Sequence, residues 1–94
     1  MASRARQGKA ASPAHRRALA INEASLGPNH PGVAWDLNNL ALLLEATDRV
    51  SEAESLYRRA VGILVNSLGP EHPITLWGRK NLDSLLAQQA TTKP

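Results

Sequence analysis

The chain has 94 residues, 43% of them hydrophobic, and contains no cysteine, no phenylalanine and only three aromatic side chains. This length allows one small domain, which excludes most enzyme architectures, and the lack of cysteine excludes disulfides and thiolate metal sites. The net charge of +3 comes from the first eleven residues, which hold Arg4, Arg6 and Lys9, because the remaining eight Lys and Arg residues balance the eight Asp and Glu residues.

Residues 1–11 form a basic segment of small and polar residues, which we expect to be a flexible tail. The first predicted helix starts at Ser12, because Pro13 fits the first turn of a helix, where its missing N–H donor is not needed. This helix ends near Leu26, since the following Gly27 suits the left-handed backbone that closes many helices.

The second predicted helix covers residues 31–47 and has a proline in its first turn. Its apolar residues recur three and four positions apart, so they form one face of a helix. They are Val33, Leu37, Leu40, Leu43 and Leu44. Asp48 and Arg49 then form a short turn.

Two further helices complete the predicted elements, and Gly69 between them suits left-handed backbone as Gly27 does. The third covers residues 51–68, and Ser51 with Glu54 has the spacing of a capping box, in which each side chain bonds the backbone N–H of the other residue. The fourth covers residues 73–90 and again has a proline in its first turn.

The sequence repeats with a period of 42 residues. Residues 15–21 reappear at residues 57–63 with an unchanged Arg-Arg-Ala sequence. Residues 25–31, Ser-Leu-Gly-Pro-Asn-His-Pro, reappear at residues 67–73 with one change. Two copies of one helical unit are therefore predicted to pack side by side.

This pattern resembles the 42-residue tetratricopeptide repeats of the kinesin light chain type. The resemblance rests on Leu-Asn-Asn-Leu-Ala at residues 37–41, Leu-Tyr-Arg-Arg-Ala at residues 56–60 and the Gly-Pro-x-His-Pro connectors. It implies an all-α fold of antiparallel helix hairpins in a right-handed α-solenoid of about four helices. One full repeat, residues 31–68, is flanked by two half repeats. The repeat domain spans residues 12–90, and residues 91–94 form a C-terminal tail.

The resemblance also implies which side chains fill the core. The large positions of the first helix fall on Leu37, Leu40 and Leu44, the small position on Ala41, and the matching positions of the second helix on Ala53, Tyr57 and Ala60. The family usually has glycine in the tight turn, where this chain has an aspartate at position 48. Aspartate tolerates left-handed backbone better than most residues.

The last helix departs from the family pattern at two positions. Arg79 replaces the residue equivalent to Leu37, and Asp83 replaces the residue equivalent to Ala41. Both positions face a partner helix that the chain lacks, and residues four apart can pair on a solvated face. The pattern favours a capping helix, with the array ending at Pro94, and the alternative is drift in a fragmentary gene.

The resemblance implies a concave binding surface lined by the first helix of each hairpin, at residues 31–47 and 73–90. The side chains that share its stripes are Trp35, Asn38 and Leu42, and Trp77, Lys80 and Ser84. Family grooves hold extended peptides, and tryptophan is a common hot-spot residue. The alternatives are that the tryptophans cover the core edge or the connector, and that Asn39 and Asn81 hydrogen-bond the neighbouring helix.

His30 and His72 each precede a proline at a helix start. A metal site needs ligands within about 2 Å of one ion, whereas equivalent points on successive repeats are more than one helix spacing of about 8–10 Å apart. We therefore interpret both histidines as helix caps and expect no metal and no cofactor. The chain has no phosphate-binding loop, and its carboxylates are scattered on helix surfaces, so we do not expect an enzyme.

The sequence predicts a cytoplasmic, non-catalytic module that binds a peptide or protein segment, with no small-molecule substrate. A second hypothesis is weak binding of nucleic acid or of an anionic surface through residues 1–11, and a third is a non-functional fragment of a longer array. The longest uncharged apolar run, residues 40–44, is far shorter than the roughly 20 residues that span a membrane. The first helix leaves Ala14, Ala18 and Ile21 partly uncovered, so self-association through it is a further hypothesis.

Overall fold

Four α-helices form the protein in a computed structural model that describes residues 2–92, with side chains described over residues 13–90. They are α1 (Ala2–Leu26), α2 (Pro31–Ala46), α3 (Val50–Leu68) and α4 (Pro73–Thr92). No strand occurs in residues 2–92, so the all-α prediction is confirmed. No described helix is both long and apolar enough to cross a membrane.

Helix α1 begins much earlier than predicted. It starts at Ala2 and not at Ser12, and Pro13 lies inside it. The prediction was wrong because it placed the helix start at the proline, although the Ala, Arg, Gln and Lys residues before Pro13 are strong helix formers. A proline in a helix interior costs about 3 kcal/mol or more, and the residues on both sides must offset that cost.

The end of the last helix fits the prediction more closely. Helix α4 continues to Thr92, two residues beyond the predicted end, which is within the usual uncertainty of a helix boundary. The predicted tails also include residue 1 and residues 93–94, which lie outside the described residues.

Positive φ angles occur where the sequence predicted left-handed backbone. Gly27 follows α1 with φ of 95°, and Gly69 follows α3 with φ of 96°. Asp48, between α2 and α3, has φ of 63°. The turn at Asp48 closes with a hydrogen bond from the Arg49 N–H to the Leu44 carbonyl at 2.8 Å. These three predictions are confirmed.

Histidine side chains cap the N-termini of α2 and α4. The Nδ1 atom of His30 accepts a hydrogen bond from the Gly32 N–H at 2.9 Å. The Nδ1 atom of His72 accepts one from the Ile74 N–H at 3.1 Å. The capping interpretation is therefore confirmed for both repeats.

The predicted capping box at the start of α3 does not form. The N-cap residue of this helix is Arg49, and no side chain accepts a hydrogen bond there. Because α3 starts at Val50, Ser51 lies within the first turn and Glu54 pairs with Arg58 at 2.9 Å.

The core lies between α2 and α3 and continues to α1 and α4. Its fully buried members include Leu37, Leu40, Ala41, Leu44, Ala53, Tyr57 and Ala60. These are the seven positions that the resemblance assigned to the core, so the assignment is confirmed. The Tyr57 hydroxyl donates a hydrogen bond to Glu45 Oε1 at 3.0 Å. Burial, together with this bond, raises the pKa of Tyr57 above its ordinary value.

Helix α2 is the central element. It packs against α1 and α3 and touches α4, while α3 packs against α4. Short connectors make consecutive helices run antiparallel. Ion pairs join α1 to α3: Arg16 to Glu52 at 3.2 Å, and Arg59 to Glu23. The equivalent helices of the two units are thus neighbours, α1 beside α3 and α2 beside α4.

The outer side of α4 is polar at the two positions that depart from the family pattern. Arg79 and Asp83 are both exposed, as predicted for positions without a partner helix. The predicted ion pair between them is absent, and neither joins another ion pair among residues 13–90. Solvation of each charge separately is sufficient at such exposed positions.

Candidate binding surface

Two tryptophans from equivalent positions form one aromatic platform. The indole rings of Trp35 in α2 and Trp77 in α4 stack with centroids 5.0 Å apart and planes inclined by 26°. Trp35 is 53% exposed, and Trp77 is partly buried. Aromatic pairs contribute about 0.5–1.5 kcal/mol beyond their burial, so the stack ties α2 to α4 while it leaves indole surface accessible.

Asn38 does not lie on the surface where the sequence analysis placed it. It is fully buried, and its Nδ2 donates a hydrogen bond to the Ala34 carbonyl at 3.2 Å. Its Oδ1 accepts a hydrogen bond from Asn81 Nδ2 at 3.4 Å, so the alternative of a bond to the neighbouring helix holds for Asn81. Asn39 makes no such bond with any residue from 13 to 90. Asn38 is buried because α4 packs over it. The periodicity of residues within α2 alone does not predict this contact.

The other predicted surface residues are exposed. Leu42 is 44% exposed, and Lys80 and Ser84 are exposed. Leu42 follows Trp35 by seven residues, and Lys80 and Ser84 follow Trp77 by three and seven, so each lies near the stripe of its tryptophan. We call these three residues, together with Trp35 and Trp77, the tryptophan face. It combines aromatic surface with one positive charge.

A glycine allows the helices to approach closely enough for this face to form. Gly78 is buried, and a Cβ atom there would lie 3.1 Å from Leu64 Cδ1 and 3.7 Å from Asn38 Nδ2. Thr75, one turn earlier, donates a hydrogen bond from its hydroxyl to the Leu64 carbonyl at 3.3 Å. Sequence reasoning missed the positioning role of Gly78, although a glycine inside a helical pattern can indicate close packing.

The described part of the chain has neither a cluster of metal ligands nor an unpaired buried polar side chain. No group of three or more His, Cys, Asp or Glu residues in it is placed to hold a metal ion. Every buried side-chain nitrogen and oxygen described there has a hydrogen-bond partner. The tryptophan face is the candidate binding surface, because it exposes stacked indole rings beside a positive charge.

Comparison with known families identifies the repeat. The family model described as tetratricopeptide repeat matches residues 2–64, about two thirds of the chain. The chain belongs to this family. No curated protein matches the sequence.

Membership of the tetratricopeptide repeat family gives the broad type of function. Such repeats generally mediate protein–protein interactions and are typically non-catalytic. The family match begins at residue 2, where α1 begins, so it includes the segment that the sequence analysis assigned to a tail. It also includes α2, which carries one half of the tryptophan face.

Proposed function

We propose that this tetratricopeptide repeat chain binds an extended peptide segment of a partner protein on the tryptophan face. The stacked pair of Trp35 and Trp77 carries the proposal, because it presents rigid aromatic surface on the two helices that occupy equivalent places in the repeat. Tryptophan is enriched among residues that dominate binding energy. A platform already stacked loses little side-chain freedom when a ligand binds.

The chemistry of the face defines the class of ligand. Indole surface favours an apolar, aromatic or proline side chain. Lys80, exposed one turn beyond Trp77, favours a carboxylate on a nearby ligand residue. We therefore assign to this face a short segment that combines an apolar anchor with an acidic residue.

The buried asparagines support the face without being exposed on it. The bond between Asn38 and Asn81 links α2 to α4 close to the tryptophan stack. We assign Asn38 a positioning role and leave direct ligand contact to the five residues of the tryptophan face. The kinesin light chain subtype is also our proposal, supported by the 42-residue period and the Gly-Pro-x-His-Pro connectors.

Intrinsic fluorescence tests the proposal, because the chain has two tryptophans and both lie on the face. Peptides from an array of apolar-acidic sequences that bind the chain are titrated against it, and a change in emission reports contact with the platform. We expect Trp35→Ala to weaken binding by at least tenfold, which corresponds to about 1.4 kcal/mol, and Lys80→Ala to weaken binding of acidic peptides selectively.

Ile21→Ala is the matched control. Ile21 is 57% exposed, close to the exposure of Trp35, but it lies on α1 and not on either helix of the tryptophan face. Its substitution is expected to leave peptide affinity unchanged. Equal affinities for wild type and the Trp35→Ala/Lys80→Ala double variant would remove the assignment of this face.

The nucleic-acid hypothesis makes a different prediction. It requires a gel shift that weakens steeply with salt and that disappears when residues 1–11 are deleted. Peptide docking on the tryptophan face predicts no gel shift, and it predicts that peptide affinity survives the same deletion.

A further inference from the structure

The face of α1 that points away from α2 is a shallow apolar groove. Its lining consists of Pro13, Ala14, Arg17, Ala18 and Ile21. Ile21 is 57% exposed, and the two alanines are exposed as well. This groove lies on a different helix from the tryptophan face and plays no part in the proposed function.

The repeat provides an internal template for what covers such a groove. Ala18 and Ile21 correspond to Ala60 and Ile63 in α3, which are 0% and 4% exposed. Tyr57, on the same side of α3, bonds to Glu45 of α2, which identifies α2 as the helix that covers this side. The equivalent residues of α1 therefore form a surface shaped for a helix of the α2 type.

The groove itself carries a positive charge, because Arg17 is part of its lining. The equivalent arginine of α3, Arg59, binds a carboxylate of another helix, Glu23 of α1, so an arginine at this position can pair with an acidic residue. Arg17 has no ion-pair partner among residues 13–90. His15 lies at the position of Tyr57, so a carboxylate placed like that of Glu45 would lie beside an imidazole.

The charges of whole helices agree with this indication. Helix α1 contains five Arg and Lys residues and one Glu. Helix α2, the template occupant, contains Asp36 and Glu45 and no basic residue. An acidic amphipathic helix therefore complements α1 in both shape and charge.

A second copy of the chain fits the groove less well. Two α1 helices would bring like charges together, which opposes a symmetric dimer. Head-to-tail contact would place α4 on α1, and α4 has Arg79 where α2 has Leu37 and Asp83 where α2 has Ala41. Two charged residues would then lie at positions where α2 buries a leucine and an alanine.

We propose that this groove binds an acidic amphipathic helix of a partner protein, which lies on α1 as α2 lies on α3. The partner helix has apolar residues with the spacing of Leu37, Ala41 and Leu44, and an acidic residue next to the last of these, as Glu45 is in α2. The interaction is separate from peptide docking on the tryptophan face, so either one can fail without the other.

A synthetic peptide of residues 31–46, carrying an N-terminal fluorophore, serves as the probe in a fluorescence anisotropy titration with the full chain. We expect saturable binding that weakens at least tenfold in Ile21→Glu and several-fold in Arg17→Glu. Both residues are exposed, so the variants are expected to keep the wild-type circular dichroism spectrum. Arg79→Glu changes the net charge equally at the other end of the molecule, and Trp35→Ala removes the platform, so both controls are expected to bind like wild type.

Three outcomes would overturn the proposal. The first is no binding of the probe to the wild-type chain. The second is equal binding to wild type and Ile21→Glu, because the peptide would then have displaced the chain's own α2 or bound elsewhere. The third is a wild-type dimer in sedimentation that Ile21→Glu converts to a monomer, because a second copy would then occupy the groove.

Discussion

Single side chains in this protein act mainly as fixed hydrogen-bond partners at the ends and crossings of helices. His30 and His72 each cap a helix through the Nδ1 atom, and Asn81 of α4 donates a hydrogen bond to Asn38 of α2. Tyr57 is the residue of this kind that carries a titratable group in the core, and it bonds to Glu45. The protonation state of its hydroxyl therefore affects the stability of the hairpin formed by α2 and α3.

Stability is expected to fall at alkaline pH because of Tyr57. Burial, reinforced by the hydrogen bond to Glu45, raises the pKa of Tyr57 in the folded chain above its ordinary value of 10.0. The folded state therefore keeps the Tyr57 proton at a pH where the unfolded chain releases it. The stability that Tyr57 contributes is fully present below about pH 10 and is lost progressively above it. We expect a loss of about 1.4 kcal/mol per pH unit above about pH 10, measured by urea unfolding.

Tyr57→Phe is the matched variant for this prediction. It keeps the ring and removes the titrating hydroxyl, so the loss of stability between pH 10 and pH 11 is expected to shrink by about 1 kcal/mol. At pH 7 the variant loses a hydrogen bond worth about 0.5–1.5 kcal/mol. An identical alkaline loss in Tyr57→Phe and wild type would show that Tyr57 does not control it.

At the scale of the helices, the glycine and proline residues near the helix ends determined how well each element was predicted. The connectors were predictable, because Gly27 and Gly69 have positive φ and each is followed by a proline, which disfavours continuation of the helix. The core was predictable because its apolar residues recur at helical spacing. The start of α1 was not, because Pro13 and the helix formers before it favour different boundaries, and their balance depends on free energies that a pattern does not contain.

The candidate surface shows the same limit. Periodicity placed Trp35, Asn38 and Leu42 on one stripe of α2, yet α4 covers Asn38 and leaves the other two exposed. The 42-residue repeat predicted that Trp35 and Trp77 lie on equivalent helices. It did not predict that they stack, because stacking depends on the distance between α2 and α4, which Gly78 helps to set.

Pro13→Ala tests whether α1 starts at Ala2. Inside a continuous helix, the substitution restores a backbone hydrogen bond to the carbonyl four residues earlier and removes a clash, which favours the helix by up to about 3 kcal/mol. We expect greater hydrogen-exchange protection of the amides of residues 2–12 and a stronger helical circular dichroism signal. A helix that began at Ser12 would hold Pro13 in its first turn, and the substitution would then leave both measurements unchanged.

The whole molecule has two dissimilar ends. At one end, the groove of α1 exposes Ala18 and Ile21, whose equivalents in α3 are buried. At the other end, α4 presents Arg79 and Asp83 in place of the core residues of α2. In a chain this small, the buried apolar area limits stability, so covering the apolar end offers more stabilisation than covering the polar one.

A fused helix at the apolar end is therefore expected to stabilise the chain. The register follows from the repeat: residues 31–49 are placed before Gly8, the equivalent of Val50, and replace residues 1–7. Burying an isoleucine fully contributes about 1.5–3 kcal/mol, and 1 kcal/mol raises Tm by about 4–8 °C in a domain of this size. We expect a rise in Tm of at least about 5 °C, measured by calorimetry. The same fusion with Ile21→Glu is expected to lose most of this gain, whereas equal Tm values for the fusion and the wild type would mean that the groove does not accept a helix of the α2 type.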